Sequence, residues 1–186
     1  LKPCSYLASL IWDSIGDNLK SAREGMDYLQ SIARLVCREQ LPIHWINPVG
    51  FPVYQSYPEV RSMRVKAMLM GEVIKPRLNT ELDTTDRRRM INGVAANFVH
   101  SLDAACMMIT VNLANEKGLR NFCNVHDSFG TTAADVQTLN ETLRDAFVKV
   151  FTEHDVLQEF KDGIASLVPD KLKAELPDVP QKGNLD

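Results

Sequence analysis

One segment limits the fold more than any other. Thr84-Thr85-Asp86 can cap a helix that starts with Arg87-Arg88-Arg89, and Phe98, Leu102, Ala105, Ile109 and Leu113 then keep helical spacing up to a stop at Lys117-Gly118. Ahead of it, residues from about Ser5 to Arg38 repeat apolar side chains at helical intervals (Leu7, Leu10, Ile11, Ile15, then Met26, Leu29, Ala33, Val36). Gly16-Asp17 and Gly25 break or bend that stretch into two helices. Leu41 to Ile46 reads as a strand, Asn47-Pro48-Val49-Gly50 as a turn, and Phe51 to Tyr57 as the next extended piece. From Val60 to Lys75 the alternation is loose, and an antiparallel ribbon is expected, with Gly71-Glu72 as its tip or as a bulge.

After the long helix come a strand over Phe122 to His126, a turn, and a helix from near Ala133-Ala134-Asp135. Its apolar face is Val136, Leu139, Leu143, Phe147 and Val150, and a last helix runs from about Val156 to Leu167. Pro169, Pro177, Pro180 and Gly183 predict an extended tail. The fold class expected is α+β, mainly helical, with helix exceeding strand by roughly two or three to one.

At 186 residues the chain is long enough for one ordinary domain with a sizeable core, or two small ones. An apolar share of 45% with 24% charged residues is that of a globular protein and excludes a disordered one. No stretch reads as apolar for long enough to cross a bilayer, so no membrane partner is expected. The start, Leu1-Lys2-Pro3-Cys4, is not a secretory leader and has no initiator Met, which points to a piece of a longer protein. Cys4, Cys37, Cys106 and Cys123 are far apart with no C-x-x-C spacing, which argues against zinc and for reduced thiols in a cytoplasm.

The net charge of −3 argues against a general nucleic-acid coat protein. The charge is uneven, however. Arg61, Arg64, Lys66, Lys75 and Arg77 stand against Glu72 alone between Val60 and Thr80, whereas eleven acidic side chains face six basic ones from Ala133 onward. A locally positive segment on an acidic protein can guide a polyanion to one place.

The segment with most chemical content is Val125-His126-Asp127-Ser128-Phe129-Gly130. It sets a carboxylate at the end of the apolar run Phe122-Cys123-Asn124-Val125, ahead of a glycine turn. Burying Asp127 there without a partner would be costly, so the position calls for a cation or a cationic partner. The plainer reading is an Asp that initiates the Gly130 turn.

The wider pattern favours the first. Asn97-Phe98-Val99-His100-Ser101-Leu102-Asp103, then Met107-Met108, then Val125 to Gly130 followed by Ala134-Asp135-Val136, resembles the single-subunit RNA polymerases of phages, mitochondria and plastids. Leu10-Ile11-Trp12-Asp13-Ser14, His44-Trp45, Pro48 to Val53 and the closing Lys182-Gly183-Asn184-Leu185 look like that family in the same order. Phe129-Gly130 favours the phage branch, with Ser-Leu-Asp and Met-Met leaning to the organelle type. The chain departs from the family at Ala96, commonly Pro, and at Cys106, commonly His.

The resemblance implies a right-hand polymerase, of which this chain is the C-terminal portion. Residues 1–99 would be the last part of the fingers, with a specificity hairpin at about 57–80, and residues 100–186 the palm return with a strand-turn-strand carrying the catalytic Asp. Asp127 would be the second of two aspartates holding two Mg2+ ions, the first lying upstream of this chain. Such ions take hard oxygen ligands, few of them carboxylates. His126 and Ser128 would flank Asp127 and orient the hairpin or primer end, and His100 would approach the growing RNA end, against the alternative of a packed helix-end histidine.

Arg64 and Lys66 fall where the family places base-reading side chains, and cationic donors suit guanine edges. Arg61, Lys75 and Arg77 would meet phosphates or be a solvated face, and Arg87-Arg88-Arg89 the same. The implied partners are the rest of the polymerase, the DNA template and promoter, nascent RNA and ribonucleoside triphosphates, in the cytoplasm of a phage-infected bacterium. With the first Asp and an aromatic-ended C-terminal foot both absent, the chain alone is expected not to polymerise.

Three rivals were weighed. A family A DNA polymerase palm normally reads His-Asp-Glu, and Ser128 stands third here. A hydrolase built on His126, Asp127 and Ser128 fails because consecutive strand residues point to opposite faces. A non-catalytic nucleic-acid-binding polymerase fragment describes what the chain could do alone.

Overall fold

The computed structural model describes residues 2–181, so the Lys182-Gly183-Asn184-Leu185 motif and Gly183 lie outside the described residues. Two helices open the chain, α1 (Lys2–Asn18) and α2 (Lys20–Val36). Only Leu19 separates them, and its N–H still donates to Ile15 O at 2.9 Å. Gly25 does not break α2. Its propensity penalty of about 1 kcal/mol is outweighed by the burial of Tyr28, Leu29, Ile32, Ala33 and Val36 on the same helix.

Next comes the hairpin of β1 (Ile43–Ile46) and β2 (Pro52–Gln55), paired in antiparallel register from Ile43↔Gln55 to Ile46↔Pro52. The Asn47 side chain closes its turn, its Oδ1 accepting from Val49 N and Phe51 N at 3.2 and 2.9 Å.

The expected ribbon is longer than its sequence pattern implied. Strands β3 (Pro58–Arg64) and β6 (Arg77–Thr85) form its base, and β4 (Ala67–Leu69) and β5 (Glu72–Ile74) its outer end. Met70 and Gly71 make the tip, both at positive φ (52° and 85°), so the turn sits one residue ahead of Gly71-Glu72.

Helix α3 (Arg87–Glu116) then runs unbroken. Asp86 caps it, its carboxylate accepting from Arg89 N at 3.0 Å. We expect Asp86→Ala to cost about 1 kcal/mol, read as a lower thermal midpoint, because one orphan N–H of the first turn loses its acceptor.

The hairpin of β7 (Cys123–Val125) and β8 (Ser128–Gly130) follows, then α4 (Val136–Glu153) and α5 (Val156–Leu167). The tail holds one short helix, α6 (Asp170–Lys173), where only extended chain was expected. The mixture of long helices and small antiparallel sheets agrees with the α+β, mainly helical class.

The main core joins α2, β1, the first half of α3, α5 and α6 through Ile32, Val36, Ile43, Trp45, Met90, Val94, Phe160 and Ile164. Trp45, Phe98 and Phe160 form a triad of tilted and edge-on rings with centroids 5.2 to 6.0 Å apart. A second, smaller cluster of Ala114, Leu119 and Leu139 lies between the end of α3 and α4. Helix α3 corrects one expectation. It contains an 18-residue window of mean hydropathy 1.4, enough by length and composition to cross a membrane. Here its apolar side is the spine of both cores.

The accessible surface of 12971 Å2 exceeds the roughly 9,000 Å2 of a compact monomer of this mass. The excess lies in the ribbon and in α1, whose Leu7, Leu10, Ile11, Trp12 and Ile15 are each about half exposed.

Candidate active site and nucleic-acid interface

Three residues a side leave β7 and β8 only a two-residue turn, His126-Asp127, since Val125 pairs with Ser128. This corrects two expectations. Asp127 sits in the turn itself, and Gly130 ends the returning strand. Asp127 is also exposed, not buried in the apolar run. His126 takes the positive φ (53°) that primed hairpin turns require, where Gly, Asn or Asp is usual. A histidine held there stores on the order of 1 kcal/mol of strain beside the carboxylate.

The hairpin is mounted rigidly from below. Phe122 and Phe129 pack on the Ala114–Leu119–Leu139 cluster. Gly130 is needed for the close pairing, because a Cβ there would lie 3.0 Å from the Cys123 carbonyl oxygen. Asn124 Oδ1, on the same face as Phe129, is buried with no hydrogen-bond partner among the described residues.

The turn faces α3 across a cavity of about 520 Å3 lined by His100, Asp103, Ala104, Met107, His126 and Asp127. The four α3 residues stand at i, i+3, i+4 and i+7, which is one helical face. His100 is thus exposed into the cavity and is not a packed helix-end histidine. Asp103 went unassigned from the sequence. Its position three residues after His100 within the same motif was the signal that places it there.

Among the described residues neither Asp103 nor Asp127 makes a hydrogen bond or ion pair. Beside that cavity lies a mostly apolar one, also about 520 Å3, which shares Asp103, His126 and Asp127 and is further lined by Leu102, Cys106, Phe129, Arg144, Phe147 and Phe151. Burial pushes the Cys106 thiol up from its ordinary value; Thr110 acts against that shift and Asp103 adds to it.

Asp127 offers a hard oxygen at a solvent-facing tip, which suits Mg2+. No group of three or more His, Cys, Asp or Glu among the described residues is placed to hold an ion. The residues present fit a shared ligand, not a complete cage.

The basic residues lie elsewhere. Arg61 and Arg64 are on β3, Arg77 opens β6, and Lys66 and Lys75 fall in the links to the outer end of the ribbon; all are exposed, and none lines either cavity. Arg64 is paired directly opposite Arg77. Like charges facing each other across strands are destabilising by some tenths of a kcal/mol, so the ribbon gains nothing in stability from them.

Comparison with known proteins gives this geometry its context. A family model described as DNA-dependent RNA polymerase matches residues 1–186. The chain is 35% identical over 196 residues to T7 RNA polymerase of Escherichia phage T7 and 36% identical over 196 residues to the DNA-directed RNA polymerase of Enterobacteria phage K11. Each match covers 97% of this chain and 22% of the relative. A chloroplastic DNA-directed RNA polymerase of Nicotiana sylvestris is 32% identical over 184 residues, 97% of this chain and 18% of its own length. The chain therefore spans about a fifth of the length of these curated relatives. The motif-based resemblance to phage and organelle polymerases is borne out, with the phage enzymes the more similar, and the chain belongs to the DNA-dependent RNA polymerase family.

Proposed function

We propose that this chain supplies part of the catalytic palm and the promoter-reading ribbon of a phage-type DNA-directed RNA polymerase. The observation that carries the reading is the strained His126-Asp127 turn, which presents a free carboxylate to a cavity shared with His100. The reaction is template-directed nucleotidyl transfer on DNA, with nascent RNA and ribonucleoside triphosphates as substrates and the rest of the polymerase as partner. The expected setting is the cytoplasm of an infected bacterium.

Asp127 would hold Mg2+ jointly with a carboxylate outside these residues. When bound, the ions would supply activation of the RNA 3′-hydroxyl and charge neutralisation at the leaving pyrophosphate. Asp127 fixes their place on a stiff mount, while His126 holds the turn and His100 approaches the RNA end from α3. A division into fingers (1–99) and palm (100–186) would pass through the middle of α3. With one carboxylate at the turn, the chain on its own is not expected to polymerise.

The exposed ribbon is the promoter reader, longer than the 57–80 segment expected from the sequence. Arg64 and Lys66 contact base edges, and Arg61 and Lys75 contact phosphates. The unfavourable Arg64–Arg77 pairing supports this, since a polyanion relieves it. Arg64→Ala in the whole polymerase should weaken use of the cognate promoter by roughly 5- to 150-fold, with transcription from a promoter-free primed template retained. Equal loss on both templates would remove Arg64 from promoter reading. The function itself is tested by runoff transcription with and without Mg2+, comparing wild type with the Asp127 variant.

A further inference from the structure

The ribbon stands away from both cores, and its β3–β6 base is exposed nearly throughout. A lever of this kind is aimed by its root. The root here is Tyr57, the residue before β3. Its carbonyl accepts from Asp86 N at 2.8 Å, which ties the two ends of the ribbon together just before α3 begins. Its ring lies against α3 at three successive turns of the helix. The Arg89 guanidinium is 4.9 Å from the ring centroid. Gly93 leaves room for the ring, since a Cβ there would come within 3.2 Å of Tyr57 Cε2. Asn97 Nδ2 donates to the Tyr57 hydroxyl at 2.9 Å.

The same Asn97 amide also donates to Gln55 Oε1 at 2.8 Å, and Gln55 Nε2 donates to Met90 O at 2.8 Å. Gln55 is buried and Asn97 and Tyr57 are half-buried, so these bonds are shielded from water and have defined geometry. The clasp is specific in chemistry: an amide, a phenol and a glycine gap must coincide for Tyr57 to seat. One and two turns beyond Asn97, the same helix presents His100 and Asp103 to the Asp127 turn.

We propose that the Gln55–Tyr57–Asn97 clasp is a positioning device that fixes the angle between the ribbon and α3, and so sets promoter selection without touching a base or a reacting atom. This rests on the reading of the ribbon as promoter reader and of Asp127 as the catalytic carboxylate. Freed from the clasp, the ribbon keeps its own β3–β6 pairing but samples other angles. Base contacts are then lost in part, while chemistry at the Asp127 turn continues.

The test uses the whole polymerase with Tyr57→Phe, Asn97→Ala and the two combined, assayed on a promoter template and on a promoter-free primed scaffold. Tyr57→Phe removes one oxygen and leaves the ring seated, so folding is not at stake. Tyr57→Phe should reduce promoter-initiated RNA about tenfold, a loss in the range of one shielded hydrogen bond, and Asn97→Ala, which also removes the bond to Gln55, at least as much. The double variant should lose no more than Asn97→Ala alone, because the one bond that Tyr57→Phe removes is among those that Asn97→Ala removes. Scaffold elongation should stay within twofold of wild type, and preference among promoter variants should broaden. Parallel loss on both templates, additive losses, or unchanged promoter use would each overturn the clasp. Persistent scaffold elongation in the Asp127→Asn enzyme would instead overturn the functional reading, and the two failures are therefore distinguishable.

Discussion

Replacing Asp127 with Asn in the whole polymerase should lower elongation on a primed scaffold by about a thousandfold or more, while promoter binding in a gel-shift assay changes less than about twofold. The expected loss follows from what the substitution removes. Asn keeps the shape and one oxygen but has no charge to share with a divalent ion, and metal stabilisation of developing charge is worth several kcal/mol. The expected sparing of promoter binding follows from geometry, since Asp127 lines the two cavities at the β7–β8 turn and the ribbon cations line neither. Stability should change little, because Asp127 is exposed and makes no hydrogen bond or ion pair among the described residues. Elongation retained to within tenfold of wild type, some 1.4 kcal/mol of barrier, would remove Asp127 from metal binding.

His126→Ala beside it separates the turn from the carboxylate. It relieves no strain, since alanine is no more at ease at φ 53°, and it keeps the charge. A loss matching that of Asp127→Asn would mean that the His126 side chain, and not the carboxylate alone, is needed at the turn.

The elements that were legible in the sequence are those whose signal is local. The Asp86 cap, the apolar spacing from Phe98 to Leu113 and the Lys117-Gly118 stop define α3 to within a residue or two. Gly25 misled because a propensity cost was outbid by burial further along the same helix, which no local pattern reports. In the sequence Gly130 is the conspicuous turn former, which hides the turn at His126-Asp127. Its actual role, allowing close approach to the Cys123 carbonyl, is a tertiary fact.

The candidate site was half legible for the same reason. Asp127 and His100 stood out within motifs, but Asp103 gains meaning only when α3 and the turn face each other across one cavity. The ribbon root was not legible at all. Gln55, Tyr57 and Asn97 are up to 42 residues apart, and only the fold brings their polar atoms within hydrogen-bonding distance.

The position of α3, on which both the cavity and the ribbon root depend, is itself set by packing that can be tested directly. Phe160 of α5 is 1% exposed, its ring 5.2 Å from Phe98 of α3 and 5.5 Å from Trp45 of β1. Trp45 is held from the other side, its Nε1–H donating to Ser101 Oγ at 2.9 Å one residue from His100. Phe160→Ala should therefore cost about 3–5 kcal/mol, by removing the buried ring and leaving a cavity that β1, α3 and α5 are too interlocked to close. Against a typical total of about 5–15 kcal/mol, that is a large share of the stability of the fold. With a urea dependence near 2 kcal/mol per molar, the unfolding midpoint followed by tryptophan emission should fall by about 2 M. Phe147→Ala is the matched control: the residue is 50% exposed on α4 and its ring lies tilted against that of Phe151 at 4.8 Å, so about 1 kcal/mol or less is expected. Equal losses from the two substitutions would mean that the triad is not the core. Helix α3 would then need another anchor to hold His100 opposite Asp127.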